Sequence, residues 1–248
     1  MSRRESESLL NSTEKGEKWY ATLCCGGNGP PVLLLHDNPQ THVCWHRVAP
    51  VLAERFTVIC ADLRGCGDSD KPPSDPEHLA YSKRVMAQDQ VEVMQSLGFS
   101  DIAVVGHDRC ARVAHRMAID HREKITKLAL LDIIPTRTAF ANVNREMATK
   151  DALAAEAVAE YERCFDDETI RATCEEFRSA ATIDFIHDEA DEALKISCPT
   201  LVLWGAASMW ASYDILEIWR ARAADVQGAA LDGGHFCQRK IQNEQRQN

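Results

Sequence analysis

The hydrophobic positions of the chain fall into short continuous runs separated by longer amphipathic stretches. Runs with the length and apolar character of buried strands occupy residues 19–25, 31–35, 57–61, 102–105, 127–132, 200–205 and 228–231. Helical spacing of apolar positions follows several of them, over residues 45–56, 81–97, 112–118 and 213–224. Because strands that alternate with helices build a parallel sheet, the pattern predicts an α/β fold with a doubly wound, mostly parallel sheet. Functional side chains are then expected at the carboxyl ends of the strands.

The alternation of strands and helices stops after Pro135. Residues 136–196 are rich in Ala and Glu and contain no convincing strand, which predicts a helical cap inserted over the strand ends. Residues 1–17 are polar and mixed in charge, which is typical of a flexible tail. The predicted organisation is therefore a core of residues 18–135 and 197–248, a cap of residues 136–196, and a tail of residues 1–17.

The charge of the chain bears on its partners. The formal net charge is −10 and the basic residues form no long run, which argues against a nucleic-acid partner. No apolar run approaches the length of a membrane span, and the first twenty residues lack the apolar region of a signal peptide. We therefore expect a soluble cytoplasmic protein that does not associate with membranes.

Cysteine and histidine are frequent enough to raise the question of disulfides and metals. The ten cysteines include no C-x-x-C pair, and several lie in apolar runs, which favours buried free thiols over a disulfide framework. His42 and His46 have the i, i+4 spacing of metal ligands, but no second cluster completes a site, and we predict no metal.

The most informative stretch is residues 101–112, DIAVVGHDRCAR. A short apolar strand, a sharp turn at Gly106–Cys110 and a helical continuation match the nucleophile elbow of the α/β-hydrolase fold. The nucleophile position holds Asp108 rather than Ser or Cys. A carboxylate is already ionised at neutral pH and can attack a saturated carbon, which forms an alkyl ester that water must then hydrolyse.

Such an ester mechanism needs further groups, and the chain offers a candidate for each. His235, in the loop after the last strand, is placed to activate water, and Asp132 ends the strand that follows the elbow, where it can orient the imidazole. The backbone N–H groups of Arg109 and Asn38 are candidates for the oxyanion hole. The predicted catalytic residues are thus Asp108, Asp132 and His235.

These motifs resemble the fluoroacetate (haloacetate) dehalogenases of the α/β-hydrolase superfamily. The matching segments are PVLLLHDNPQTHVCWHRVAPVLAERF, ADLRGCGDSDKP, GHDRCARV, LALLDIIPT, ATIDFIHDEAD, LVLWGAAS and GGHF. Together they cover most of residues 29–236. GHDRxxR is the most specific of them, because related haloalkane dehalogenases and epoxide hydrolases usually place Trp after the nucleophilic Asp.

The resemblance implies a role for each matched residue. Asp108 would displace halide, His235 would activate water, and Asp132 would support His235. Arg109 and Arg112 would hold the carboxylate of a small anionic substrate, a task that suits a charge-assisted guanidinium fork. No cofactor is implied, and homodimers are known in the family.

The chain also departs from the family, and the departures keep alternatives open. The residue after His36 is Asp37 where the family has Gly, the cap is shorter, and the final helix after His235 is missing. An epoxide hydrolase would share the Asp nucleophile, but Tyr161 is the only tyrosine between Pro135 and Cys198, and such enzymes normally need cap tyrosines. The reduced helical cap also leaves a catalytically impaired, hydrolase-like protein as an alternative.

Overall fold

A computed structural model describes residues 4–11, 18–142 and 155–236 of the chain. Its centre is one eight-stranded sheet with the strand order β1-β2-β4-β3-β5-β6-β7-β8. The strands are β1 Arg4–Asn11, β2 Lys18–Gly26, β3 Pro31–Leu35, β4 Thr57–Ala61, β5 Ile102–His107, β6 Ile125–Leu131, β7 Thr200–Gly205 and β8 Val226–Leu231. β1 and β2 are antiparallel to their neighbours and all other pairings are parallel. The prediction of a mostly parallel α/β sheet is confirmed.

Helices connect the parallel strands and also fill the region of the predicted cap. They are α1 Ala49–Leu52, α2 Lys83–Ser96, α3 Asp108–Asp120, α4 Thr136–Asn142, α5 Ala155–Cys164, α6 Asp167–Ala181, α7 Ile183–Ala190 and α8 Ile215–Arg222. α4 to α7 follow one another between β6 and β7. Among the described helices, none has both the length and the apolar character needed to cross a lipid bilayer.

The prediction of a flexible tail over residues 1–17 was wrong for the part that the structure describes. Residues Arg4–Asn11 form β1, which pairs with β2 along its full length, from Arg4 opposite Cys25 to Asn11 opposite Lys18. Backbone pairing with a neighbouring strand satisfies polar main-chain groups whatever the side chains are. A polar sequence is therefore compatible with an edge strand. Because the segment shows no alternation of apolar and polar residues, the hydrophobic pattern did not predict β1.

The predicted helix over residues 45–56 was also wrong. The structure has a 3₁₀ turn at His42–Trp45 and only one α-helical turn, α1, at Ala49–Leu52. Pro50 lies in the first turn of α1. Proline is tolerated there because the first N–H groups of a helix have no partner, but a helix that began at Trp45 would place it in the interior.

The core is built on both faces of the central strand β3. Leu33 and Leu35 are fully buried on one face, where they pack into the larger core cluster with α2 and α3. Leu34 is fully buried on the other face, in a second cluster that includes Trp45. Alternate residues of a strand point to opposite faces, so a continuous apolar run is what a strand covered on both sides requires.

The eight cysteines whose side chains the structure describes, from Cys25 to Cys198, form no disulfide, as predicted, and six of them are buried. Cys24 and Cys237 lie outside the residues whose side chains are described. The six buried thiols therefore contribute to packing as small hydrophobic groups.

Gly106 sets how closely α3 packs on the end of β5. A Cβ atom at Gly106 would lie 2.5 Å from the Cα of Ala111 and 3.0 Å from its backbone N. Backbone atoms of a helix cannot move aside alone, so Gly106→Ala would force the strand and helix apart. We expect a loss of about 3 kcal/mol in the free energy of unfolding, measured by urea denaturation. Gly98→Ala is the control, because its Cβ meets open space and only the positive φ of 86° opposes it, at a cost of about 1 kcal/mol.

Candidate active site

Asp108 occupies the sharp turn between β5 and α3. Its φ of 45° lies in the left-handed region, which a non-glycine residue rarely adopts. The strand before it and the helix after it are those of a nucleophile elbow, where the strained turn presents the nucleophile at the top of the sheet. The structure thus places the Asp108 side chain at the carboxyl end of the sheet.

His235 and Asp132 form a hydrogen-bonded pair at the same edge of the sheet. His235 Nδ1 lies 2.6 Å from Asp132 Oδ2. Asp132, fully buried after β6, is fixed further because its Oδ1 accepts the backbone N–H of Gly205 at 3.0 Å. Asp132 therefore holds the orientation of the His235 ring, as a supporting carboxylate does for a catalytic base.

A third carboxyl group, that of Asp37, lies between His235 and Asp108. Asp37 Oδ2 lies 3.1 Å from His235 Nε2, and the Asp37 carboxyl is close enough to that of Asp108 for each to shift the pKa of the other. Asp37 Oδ1 accepts the backbone N–H of Asn38 at 2.6 Å. The predicted oxyanion donor Asn38 is thus engaged by the neighbouring side chain. The backbone of Asp37 does not have a positive φ, so Asp in place of the family's Gly causes no left-handed strain here.

The charges of these groups shift one another strongly. Burial favours the neutral form of His235, but hydrogen bonds to Asp132 and Asp37 and the charge of Asp108 outweigh it and raise its pKa to about 11. Burial likewise opposes ionisation of Asp108, but the charge of His235 and the hydrogen bond from Asp37 hold the pKa of Asp108 at about 2. Burial and the charge of Asp108 raise the pKa of Asp37 well above its usual range. At neutral pH these shifts favour an ionised Asp108 and an imidazolium at His235, and they make Asp37 harder to ionise than a free carboxyl.

Arg109 is bound to a glutamate of α6. Its guanidinium forms an ion pair with Glu176, with Nε 2.7 Å from Oε2, and its Cζ lies 3.6 Å from the ring centroid of Phe177. The other oxygen of Glu176 forms an ion pair with Lys83 of α2. Burial, with the positive charges of Arg109 and Arg112 adding to it, lowers the pKa of Lys83 to about 7. Glu176 therefore forms an ion pair with Arg109, the residue that the resemblance assigns to the carboxylate of the substrate.

Arg112 lies one helical turn further along α3 and is buried. Its Nε donates to the backbone carbonyl of Ile134 at 3.3 Å. Burial and the neighbouring charge of Arg109 lower its pKa to about 10, while the charge of Asp108 opposes that shift. Arg112 remains positively charged at neutral pH, and its charge helps to lower the pKa of Asp108.

A cleft beneath the cap adjoins the oxyanion side of this cluster. Its volume is about 10 Å³, room for about one water molecule, and it lies where α2, α3 and α6 meet. Its lining includes Asn38, Lys83, Cys110 and Glu176.

His42 and His46 do not converge. His42 Nδ1 lies 3.0 Å from Asp62 Oδ2, whereas His46 Nδ1 lies 2.8 Å from the backbone carbonyl of Val43. The i, i+4 spacing does not indicate a shared ligand set here, because the two residues belong to a 3₁₀ turn rather than to one α-helix.

The structure brings together Asp108, Asp132 and His235, with Arg109 and Arg112 on the same helix. The sequence analysis missed the participation of Lys83 and Glu176. Lys83 is buried although it opens a helix, and Glu176 follows Glu175 in a polar stretch of α6. Neither stands out from other charged helix residues, so no signal in a single sequence would have identified them.

Comparisons with known proteins agree with this architecture. The model of the alpha/beta hydrolase fold family matches residues 30–163. A fluoroacetate dehalogenase from Burkholderia sp. is 39% identical, over 87% of this chain and 84% of its own. A soluble epoxide hydrolase from Corynebacterium sp. (strain C12) is 31% identical, over 85% of each chain.

Solved structures give the same result. The crystal structure of a protein from Nostoc sp. PCC 7120 that is assigned to the alpha/beta hydrolases is 44% identical, with a TM-score of 0.88 over 98% of this chain and 96% of the other. The chain therefore belongs to the α/β-hydrolase family.

Proposed function

We propose that the protein hydrolyses the carbon–halogen bond of a small 2-haloacid through an ester on Asp108. The observation that carries this proposal is a carboxylate at the nucleophile elbow, followed by Arg109 and Arg112 on the same helix. The likeness to the Burkholderia fluoroacetate dehalogenase supports the same substrate class. The need for an anionic substrate follows from the two guanidinium groups.

In the first step, an oxygen of Asp108 attacks the halogen-bearing carbon. A C–O bond forms as the C–halogen bond breaks, and the halide leaves with the bonding electron pair. The low pKa of Asp108 keeps it ionised, so the nucleophile needs no base. Arg112 would hold the substrate carboxylate near Asp108 and offset the repulsion between the two anions.

In the second step, water attacks the ester carbonyl of Asp108. Conversion of Asp108 to a neutral ester removes one of the charges that raise the pKa of His235, which makes the neutral, basic imidazole more accessible. After the imidazolium has lost its Nε2 proton to solvent, His235 takes a proton from the attacking water, and Asp132 stabilises the imidazolium that forms again. Collapse of the tetrahedral intermediate breaks the bond between the Asp108 carboxyl carbon and the ester oxygen. That oxygen takes the proton from His235 to give a 2-hydroxy acid, and Asp108 loses its remaining proton to solvent and is again a carboxylate.

The proposal is tested by halide release from chloroacetate and fluoroacetate by the purified protein. Release of either halide, with equimolar glycolate, is the expected result. Fluoride is the poorer leaving group and depends more on hydrogen-bond donors near the departing atom, so we expect faster release of chloride.

Styrene oxide is the matching substrate for the alternative, an epoxide hydrolase. The likeness to the Corynebacterium epoxide hydrolase favours this alternative. Diol formation without halide release would replace the haloacid proposal with an epoxide hydrolase. The absence of both products from a folded sample would indicate a protein without either activity.

Glu176→Gln is expected to lower the KM for chloroacetate by about tenfold, the equivalent of one charge-assisted hydrogen bond. The substitution removes the internal carboxylate that binds Arg109 and Lys83, so a substrate carboxylate meets less competition. The same change leaves two buried cations without their counter-charge, so the melting temperature should fall. Steady-state kinetics and thermal unfolding measure the two effects.

Glu175→Gln is the matched control on the same helix. Glu175 pairs with His78 and Arg178 instead of the site cations. We expect its KM to equal that of the unsubstituted protein. An unchanged or raised KM in Glu176→Gln would mean that Glu176 does not compete with the substrate for Arg109.

A further inference from the structure

One side chain of the site contacts both groups on which hydrolysis of the ester depends. Asp37 lies just after β3 and is buried. Its Oδ1 accepts the backbone N–H of Asn38 at 2.6 Å, and its Oδ2 lies 3.1 Å from Nε2 of His235. Asn38 is a predicted oxyanion donor and His235 is the proposed base, so a single carboxyl group engages both.

The contact with His235 involves the ring nitrogen that water would use. Nδ1 of His235 lies 2.6 Å from Asp132 Oδ2, which leaves Nε2 as the nitrogen for the attacking water. The hydrogen bond between Nε2 and Asp37 Oδ2 contains one proton, and whichever of the two atoms carries it, the Nε2 lone pair is not available to water. A water that gives a proton to Nε2 must also lie within about 3 Å of it, where Asp37 Oδ2 already lies.

The contact with Asn38 engages the N–H that the oxyanion hole would use. A donor stabilises an oxyanion only if it points to the position where the charge develops. The N–H of Asn38 donates to Asp37 Oδ1 instead. Because the two oxygens belong to one rigid carboxyl group, each of the two contacts also keeps the other in place.

The turn that carries Asp37 is fixed by the preceding residue, His36. Nε2 of the fully buried His36 accepts the backbone N–H of Leu63 at 3.1 Å, so Nδ1 carries the proton of the neutral ring. Nδ1 donates this proton to the backbone carbonyl of Asp37 at 2.6 Å. Since the backbone of Asp37 is held, its carboxyl group can leave His235 and Asn38 only by rotation of its own side chain.

Formation of the ester needs neither the base nor the oxyanion donor. Asp108 attacks as a carboxylate, and the negative charge that develops in this step is on the halide rather than on an acyl oxygen. The contacts of Asp37 therefore affect the second step and not the first.

We propose that Asp37 is a positioning residue that holds the base His235 and the oxyanion donor Asn38 in hydrogen bonds with its own carboxyl group, and so makes hydrolysis of the ester the slow step in this chain. The inference rests on the proposed function. Asp37 forms and breaks no covalent bond. Its carboxyl group must leave Nε2 before water can give a proton to His235, and this displacement adds to the barrier of the second step alone.

Rapid-quench kinetics with chloroacetate test the inference. Chloride measures the formation of the ester, and intact-protein mass spectrometry measures its accumulation. The unsubstituted protein should release a burst of chloride and then turn over more slowly, with the ester accumulated on the chain. Asp37→Ala should form the ester at the same rate but hydrolyse it at least about tenfold faster, the equivalent of one charge-assisted hydrogen bond, so that the burst shrinks.

Asp37→Asn and Asp101→Asn are the comparison variants. Asp37→Asn keeps the shape of the side chain but makes only a neutral, weaker hydrogen bond with Nε2, so its hydrolysis rate should lie between those of Asp37→Ala and the unsubstituted protein. Asp101→Asn, at an exposed position before β5, is the control for the loss of one carboxylate and should hydrolyse the ester at the unsubstituted rate. Thermal unfolding verifies that each variant is folded.

A gain in rate separates this role from a structural one, because damage to the fold would slow hydrolysis. Turnover by the unsubstituted protein without a chloride burst would overturn the inference and leave the proposed function intact. Hydrolysis at or below the unsubstituted rate in the Asp37 variants that fold would do the same. No chloride at all from the unsubstituted protein would overturn the proposed function and, with it, this inference.

Discussion

Replacing Asp108 by Asn is expected to reduce halide release from chloroacetate by at least about 10³-fold. The amide of Asn has nearly the shape of the carboxylate but carries no negative charge and is a poor nucleophile for a saturated carbon. The rest of the site remains in place because His235 is held by Asp132 rather than by Asp108. Halide release under steady-state conditions measures the effect, and no halide burst should precede it, since the ester itself cannot form.

Asp101→Asn is the matched control for this prediction. Asp101 is exposed, lies at the opposite end of β5 from Asp108, and its carboxylate accepts a hydrogen bond from the Ser100 hydroxyl. Its halide release should equal that of the unsubstituted protein. Substantial halide release by a folded Asp108→Asn protein would remove Asp108 from the chemistry and would require another nucleophile.

The sequence predicts the sheet well wherever a strand is buried on both faces. The run over residues 31–35 coincides with β3, because a strand covered by helices needs apolar residues at every position. The same reasoning fails for β1, whose polar residues pair through the backbone at the edge of the sheet. Hydrophobic patterning detects burial rather than pairing, so an edge strand of this kind gives no signal.

For the site, the sequence predicts the groups whose positions are set by the ends of strands. Asp108 and Asp132 each follow a parallel strand directly, and parallel strands bring their carboxyl ends to one edge. The sequence does not predict which side chains pair there. Glu176 reaches Arg109 from α6, which is 67 residues away along the chain, and only the packing of the cap determines that contact. The contact between Asp37 and His235 likewise depends on how two distant loops meet.

Replacing His235 by Gln is expected to separate the two chemical steps. Without a base near the ester, hydrolysis should slow by about 10²- to 10⁴-fold, while Asp108 can still attack the substrate. The protein should therefore release one burst of chloride and then stop, with the ester visible as a mass increase on the intact chain. Asp132→Asn should slow hydrolysis as well. The base His235 is still present in this variant, but it loses the carboxylate that orients its ring and stabilises its positive charge. Unslowed turnover in the His235→Gln protein would show that another group activates water, and loss of the chloride burst would show that His235 acts before the ester forms.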